Sequence, residues 1–176
     1  MDYIKFLEEC DVELESNETD WNLKNEKDLI KYKSGNCYDT SYCAWKHFKG
    51  SFRIWMTELE SITNEEIENL KKGNIPPTLN IGATHCICVY VDTSWHGLHS
   101  SSYVWWEYSW KQHRGIHKYK SLDELIDDIV LKWKKIKSPN CKKLLLSQIT
   151  NTKLHCRLNE FVERGLLSKI IRIADI

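Results

Sequence analysis

Two runs dense in β-forming residues dominate the middle of the chain. Thr84–Val91 and Tyr103–Trp110 are rich in valine, isoleucine, tyrosine and tryptophan, and the intervening Thr93–Ser102 stretch has loop composition. Neither run satisfies its own backbone N–H and C=O groups, so the two are expected to pair as an antiparallel hairpin with a long connection. Phe52–Leu59 and Gly115–Tyr119 read as further strands, and Ile170–Ile173 as an edge strand. Helical spacing marks Asp2–Glu9, Glu26–Lys33, Asn36–Lys49, Ile62–Lys72, Leu122–Lys134 and Leu158–Arg164, the last ending at Gly165. Ser121 and Glu124 form a capping-box pattern ahead of Leu122–Lys134. Helices, then strands, then helices is an α+β order, with a mainly antiparallel sheet. Nothing repeats and no Gly/Ser-rich linker interrupts, so residues 1–176 read as one domain, with 136–176 as a helical extension carrying the edge strand.

Charge narrows the partners. Twenty-five basic and 25 acidic residues cancel, which gives no global field for nucleic acid or an anionic membrane. The balance hides a segregation: residues 1–30 hold ten acids and three lysines, whereas 111–157 hold twelve Lys/Arg and four acids. Both segments are expected to be solvated faces. No apolar run approaches the ~20 residues of a membrane span, and the acidic start lacks the pattern of a signal peptide. A cytoplasmic location follows as the expectation. Seven cysteines with irregular spacing argue for reduced thiols rather than a disulfide framework.

One of those cysteines stands apart by position. In Asn36–Lys49, Tyr38, Tyr42, Trp45 and Phe48 recur at helical spacing, Asn36 is a favoured N-cap and Gly50 a stop. Cys37 then occupies the first helical position, where unpaired N–H groups and the helix dipole favour thiolate. A thiolate nucleophile needs a base, and the base an orienting group. His85 heads a strand whose Ile87, Val89 and Val91 share its face. Glu107 lies within an aromatic strand, where a lone carboxylate would be costly. Pairing His85 directly with Glu107 would centre the hairpin near residue 96, inside the expected loop.

Gly35-Asn36-Cys37-Tyr38-Asp39 at a helix start resembles the G-x-C-x-D motif of the transglutaminase-like branch of the papain-like cysteine enzymes. Thr84-His85-Cys86-Ile87 is similar to that superfamily's histidine strand. Trp105-Trp106-Glu107-Tyr108-Ser109-Trp110 resembles its acid strand, with Glu107 where Asp is more usual. Arg114-Gly115-Ile116-His117 and Ser121-Leu122-Asp123-Glu124-Leu125 are similar to transglutaminase-like proteins of low-GC bacteria and phages, and the likeness runs, with gaps, from about residue 26 to 135. It implies a papain-like core in which the nucleophile helix packs on the sheet. It also implies a Cys37–His85–Glu107 triad working on protein or peptide amides through a thioester, as protease, deamidase or acyltransferase, without cofactor or metal. The papain-type oxyanion glutamine is absent, Lys31 and Tyr32 standing there, and Trp21 or Asn36 are the candidate donors. The alternative reading keeps the fold without the chemistry, as a module that binds a host or cellular protein.

Other donor sets compete with this one. His96-x-x-His99, His113-x-x-x-His117 and Cys86-x-Cys88 have short spacings, but no Cys-x-x-Cys pair accompanies them, so no metal site is expected. Trp106 and Trp110 are expected in the core. Trp105 either accompanies Glu107 or, with Trp95, walls a substrate groove. Lysines cluster at 132–143, away from the aromatic strand, and not interleaved with rings as single-strand nucleic-acid binding requires.

Overall fold

The computed structural model describes residues 37, 41, 44–45, 48–74, 80–92, 102–107, 110–113, 115–149 and 167–176. They form six strands and two helices in an α+β arrangement. The elements are β1 (Phe52–Glu60), α1 (Asn64–Lys71), β2 (Asn80–Asp92), β3 (Ser102–Glu107), β4 (Gly115–Tyr119), α2 (Leu122–Lys134), β5 (Cys141–Ile149) and β6 (Leu167–Asp175). The strand order is β4-β3-β2-β1-β5-β6. The β2–β3, β3–β4 and β5–β6 pairs are antiparallel. Chain contacts divide the molecule into two compact units: residues 1–53 with 87–125, and residues 54–86 with 126–176.

In the first unit β2 and β3 make the expected hairpin, but its register differs from the one that would match His85 to Glu107. Val89 faces Trp105, Tyr90 faces Val104 and Val91 faces Tyr103. These pairs centre the hairpin on residue 97 rather than 96. Continued along the strands, the same register would set Ile87 against Glu107. The sequence does not reveal how the long connection divides its residues, so it could not specify this count.

Cys37, Ser41, Ala44 and Trp45 are helical. The spacing is that of one helix face, and Cys37, Ser41 and Ala44 are buried along it. Phe48 is buried as expected and lies 6.3 Å, centroid to centroid, from Tyr90, while Trp45 is half-buried. Gly50 follows with φ +81°, the left-handed stop its position predicted. Tyr38 and Tyr42, the other members of the expected stripe, lie outside the described residues, as do the predicted helices at 2–9, 26–33 and 158–164.

The second unit contains the most deeply buried strand. Ile54 through Leu59 of β1 are all at most 1% exposed, because β1 lies between β2 and β5 in the sheet order and is covered on both faces. Thr63 caps α1 with a complete capping box. At the head of α2, Ser121 Oγ accepts from Glu124 N at 3.2 Å, while the Glu124 carboxylate reaches Lys120 N rather than closing the box on Ser121.

Residues 136–149 correct an expectation. Where a helical extension was predicted, Cys141–Ile149 is a strand, with Leu144, Leu145, Leu146 and Ser147 fully buried. A contiguous leucine run carries no alternation and has good helix propensity, so sequence periodicity misreads a strand buried on both faces. The edge strand at Ile170–Ile173 is present and longer, as β6. Its pairing with β5 slips twice, between Leu146 and Ser147 and between Gln148 and Ile149. Each slip passes over one β6 residue, Ile171 and then Ser168. That removes the strict period of two from β6.

Candidate functional site

Glu107 closes β3, whose preceding residues Val104, Trp105 and Trp106 are all buried. Its carboxylate is 1% exposed, a costly position for a charge without donors. Two are provided locally. Trp105, two residues earlier and on the same strand face, donates its indole N–H to Oε2 at 3.1 Å. Three residues further on, Trp110 N donates to Oε1 at 2.7 Å. Both oxygens are therefore held, and the plane of the carboxylate is fixed by donors two residues before it and three after it.

A ring cluster surrounds this acid. Trp105 is fully buried, so it lies beneath Glu107 as a donor and does not wall an open groove. It packs 6.2 Å from Trp110 and stacks on His117 at 4.5 Å. His117 is its cross-strand partner on β4. His113, in the 3-10 turn Lys111–His113, meets Trp110 edge-on at 4.6 Å. Its carbonyl is within 2.6 Å of His117 Nε2, so the imidazole N–H of His117 donates there. The His113/His117 pair considered as metal donors thus serves in packing and hydrogen bonding, while the other pair, His96 and His99, lies outside the described residues. Among the described residues no group of three His, Cys, Asp or Glu side chains is arranged to hold a metal. Cys86 and Cys88 are buried, as expected.

Cys37 also belongs to the first unit. It is buried, 8% exposed, on helical backbone. One turn along the same face, Ser41 accepts from both Nε and Nη2 of Arg53 at 3.1 Å. Arg53 is 1% exposed at the head of β1. A buried guanidinium thus grips the helix four residues beyond Cys37, a feature that no sequence pattern announced.

His85 belongs to the second unit. On β2, Ala83 and Thr84 are exposed, and burial begins at His85 and continues through Val89. His85 is therefore the polar residue at the edge of an apolar row, as its position implied. Trp21, Asn36 and Trp95 lie outside the described residues.

The structure adds one residue the sequence did not single out. Glu58, on β1, is 1% exposed and accepts four hydrogen bonds. Oε1 takes Trp133 Nε1 at 2.9 Å and Ser138 N at 3.0 Å. Oε2 takes Ser138 Oγ at 2.6 Å and Ala83 N at 3.2 Å. Burial pushes this carboxyl upward, but the bonds from Ser138, Trp133 and Ala83 outweigh it and hold the group below its ordinary value. Gly82 makes room for it: a Cβ there would stand 2.6 Å from Oε2. The same charge, after burial itself, pushes the Cys141 thiol upward. A glutamate in phase with Ile54 and Met56 on a buried strand, and a glycine inside another strand, were the available signals.

Among the described residues no helix is long and apolar enough to cross a membrane. Comparison with protein-family models, with curated proteins and with solved structures gave no match.

Proposed function

We propose that the chain is a cysteine-dependent amide hydrolase or acyltransferase with a transglutaminase-like, papain-type core. The observation that carries this reading is the Glu107 carboxylate, buried and oriented by Trp105 and Trp110. An acid held this way is what an imidazole needs to keep one tautomer and one orientation. Cys37 on buried helical backbone and His85 at the first buried position of β2 supply residue types suited to nucleophile and base.

In this reading His85 takes the proton of Cys37, and the thiolate attacks an amide carbonyl of a protein or peptide. The tetrahedral adduct collapses with breakage of the C–N bond, the amine leaving with the proton returned by the imidazolium. A thioester joins Cys37 to the acyl group. Water then releases an acid, or a second amine releases a new amide, and the thiol is regenerated in either case. No cofactor enters this sequence.

The test is labelling by a peptide-amide electrophile at pH 6, with the modified residue located by mass spectrometry. Labelling confined to Cys37 and lost in Cys37→Ala is expected. Labelling that persists in folded Cys37→Ala refutes the assignment and leaves partner binding as the better account.

A further inference from the structure

We infer that Glu58 is a positioning residue for His85, acting through the backbone of β2. This rests on the reading of His85 as the general base. The argument begins at the start of β2, where Ala83 and Thr84 are exposed. Side-chain burial does not fix the strand there, yet the next residue is His85. The backbone N–H of Ala83 is held at 3.2 Å by Glu58 Oε2. Two residues of strand separate that anchor from the imidazole-bearing residue, on the order of 7 Å along the chain.

The anchor is itself fixed. Trp133 on α2 and Ser138 beyond its end hold the carboxylate with three further bonds, from residues 75 and 80 positions away in sequence. Gly82 lets the β2 backbone come close enough to reach it, since any Cβ at that position would meet Oε2 at 2.6 Å. A group merely filling the core would not require a glycine beside it or a carboxylate with four donors. Glu58 makes no part of the reaction; it sets where His85 stands.

The experiment measures the rate of Cys37 alkylation by iodoacetamide from pH 5 to 9, with site occupancy read by mass spectrometry. The variants are Glu58→Gln, Gly82→Ala, Trp133→Phe and His85→Ala, each checked for folding by circular dichroism. Glu58→Gln keeps the size of the side chain but turns an N–H toward groups that themselves donate. A displaced base is expected to slow alkylation at pH 6 by ~10-fold to ~100-fold, with the pH profile moved toward that of His85→Ala. Glu58→Gln combined with His85→Ala should be no slower than His85→Ala alone. Trp133→Phe removes one of the donors that fix the carboxylate. It should slow alkylation in the same direction as Glu58→Gln but less, since the bonds from Ser138 and Ala83 remain. A folded Trp133→Phe protein slower than His85→Ala would count against the inference.

If Glu58→Gln does not fold, Gly82→Ala, which displaces the carboxylate without removing it, should slow the rate in the same direction. A folded Glu58→Gln or Gly82→Ala protein with the wild-type profile overturns the inference while leaving the triad intact. A wild-type profile in His85→Ala overturns the reading of His85 itself, and the positioning role with it.

Discussion

Gly82→Ala is a small change that the structure predicts to be expensive. In most strands the substitution is favourable, because alanine restricts the unfolded chain and gains about 0.4–1 kcal/mol where the backbone accepts it. At position 82 the new methyl would stand 2.6 Å from Glu58 Oε2, 3.1 Å from Glu58 Cβ and 3.2 Å from Glu60 Oε1. Real Cβ atoms do not approach an oxygen so closely, so the carboxylate must move. It cannot swing freely, because Oε2 is the acceptor for Ser138 Oγ and Ala83 N. Hydrogen bonds to a charged group contribute about 1.5–3 kcal/mol each. Losing or stretching these two, less the gain from alanine, gives a net destabilisation of about 2–5 kcal/mol. Urea denaturation followed by tryptophan fluorescence measures it, with the slope checked for constancy. A double-mutant cycle with Glu58→Ala locates the cause: Gly82→Ala should cost far less when the carboxylate is already gone. A variant as stable as the parent, or more so, refutes the argument. An equal cost in both backgrounds would show that the strain lies elsewhere.

Two further outcomes follow from the buried carboxylates. The folded-state pKa of Glu58 lies below the ordinary value near ~4.3. Its contribution to stability is therefore complete above that value and is lost as pH falls toward and through the folded-state pKa. Stability curves from pH 6 down to 2 should decline in this window more steeply for the parent than for Glu58→Gln, and parallel curves would contradict the assignment. Trp105→Phe keeps a buried ring but removes the donor to Glu107 Oε2. It should cost about 1–3 kcal/mol, measurable by urea denaturation; a change below ~0.5 kcal/mol would show that the bond is dispensable.

How much of this was legible depended on distance along the chain. The β2–β3 hairpin, the α2 helix with its Ser121 cap and the left-handed stop at Gly50 are written within a few residues each, and the sequence reading found them. Trp105 beside Glu107 was also foreseeable, because residues two apart share a strand face. The register of that hairpin was not, since nothing local states how its connection divides between the strands. β5 was missed because Leu144–Leu146 is apolar without alternation. The Glu58 network was the least visible part: its donors come from 25, 75 and 80 residues away, and only the assembled sheet reveals that one carboxylate serves them all.

The two slips in β6 have a consequence for behaviour in concentrated solution. β6 ends the strand order among the described residues, and a regular edge strand offers an evenly spaced row of amides to which another polypeptide can add. Here the longest unbroken ladder with β5 is the four pairs from Lys143–Asp175 to Leu146–Arg172. Beyond it the spacing is broken at Ile171 and again at Ser168, with the basic residues Arg172 and Lys169 placed along the same stretch. A second chain approaching this edge would find its amides out of step after a few residues. The two register shifts of β6 thus make this side a poor template for a further strand.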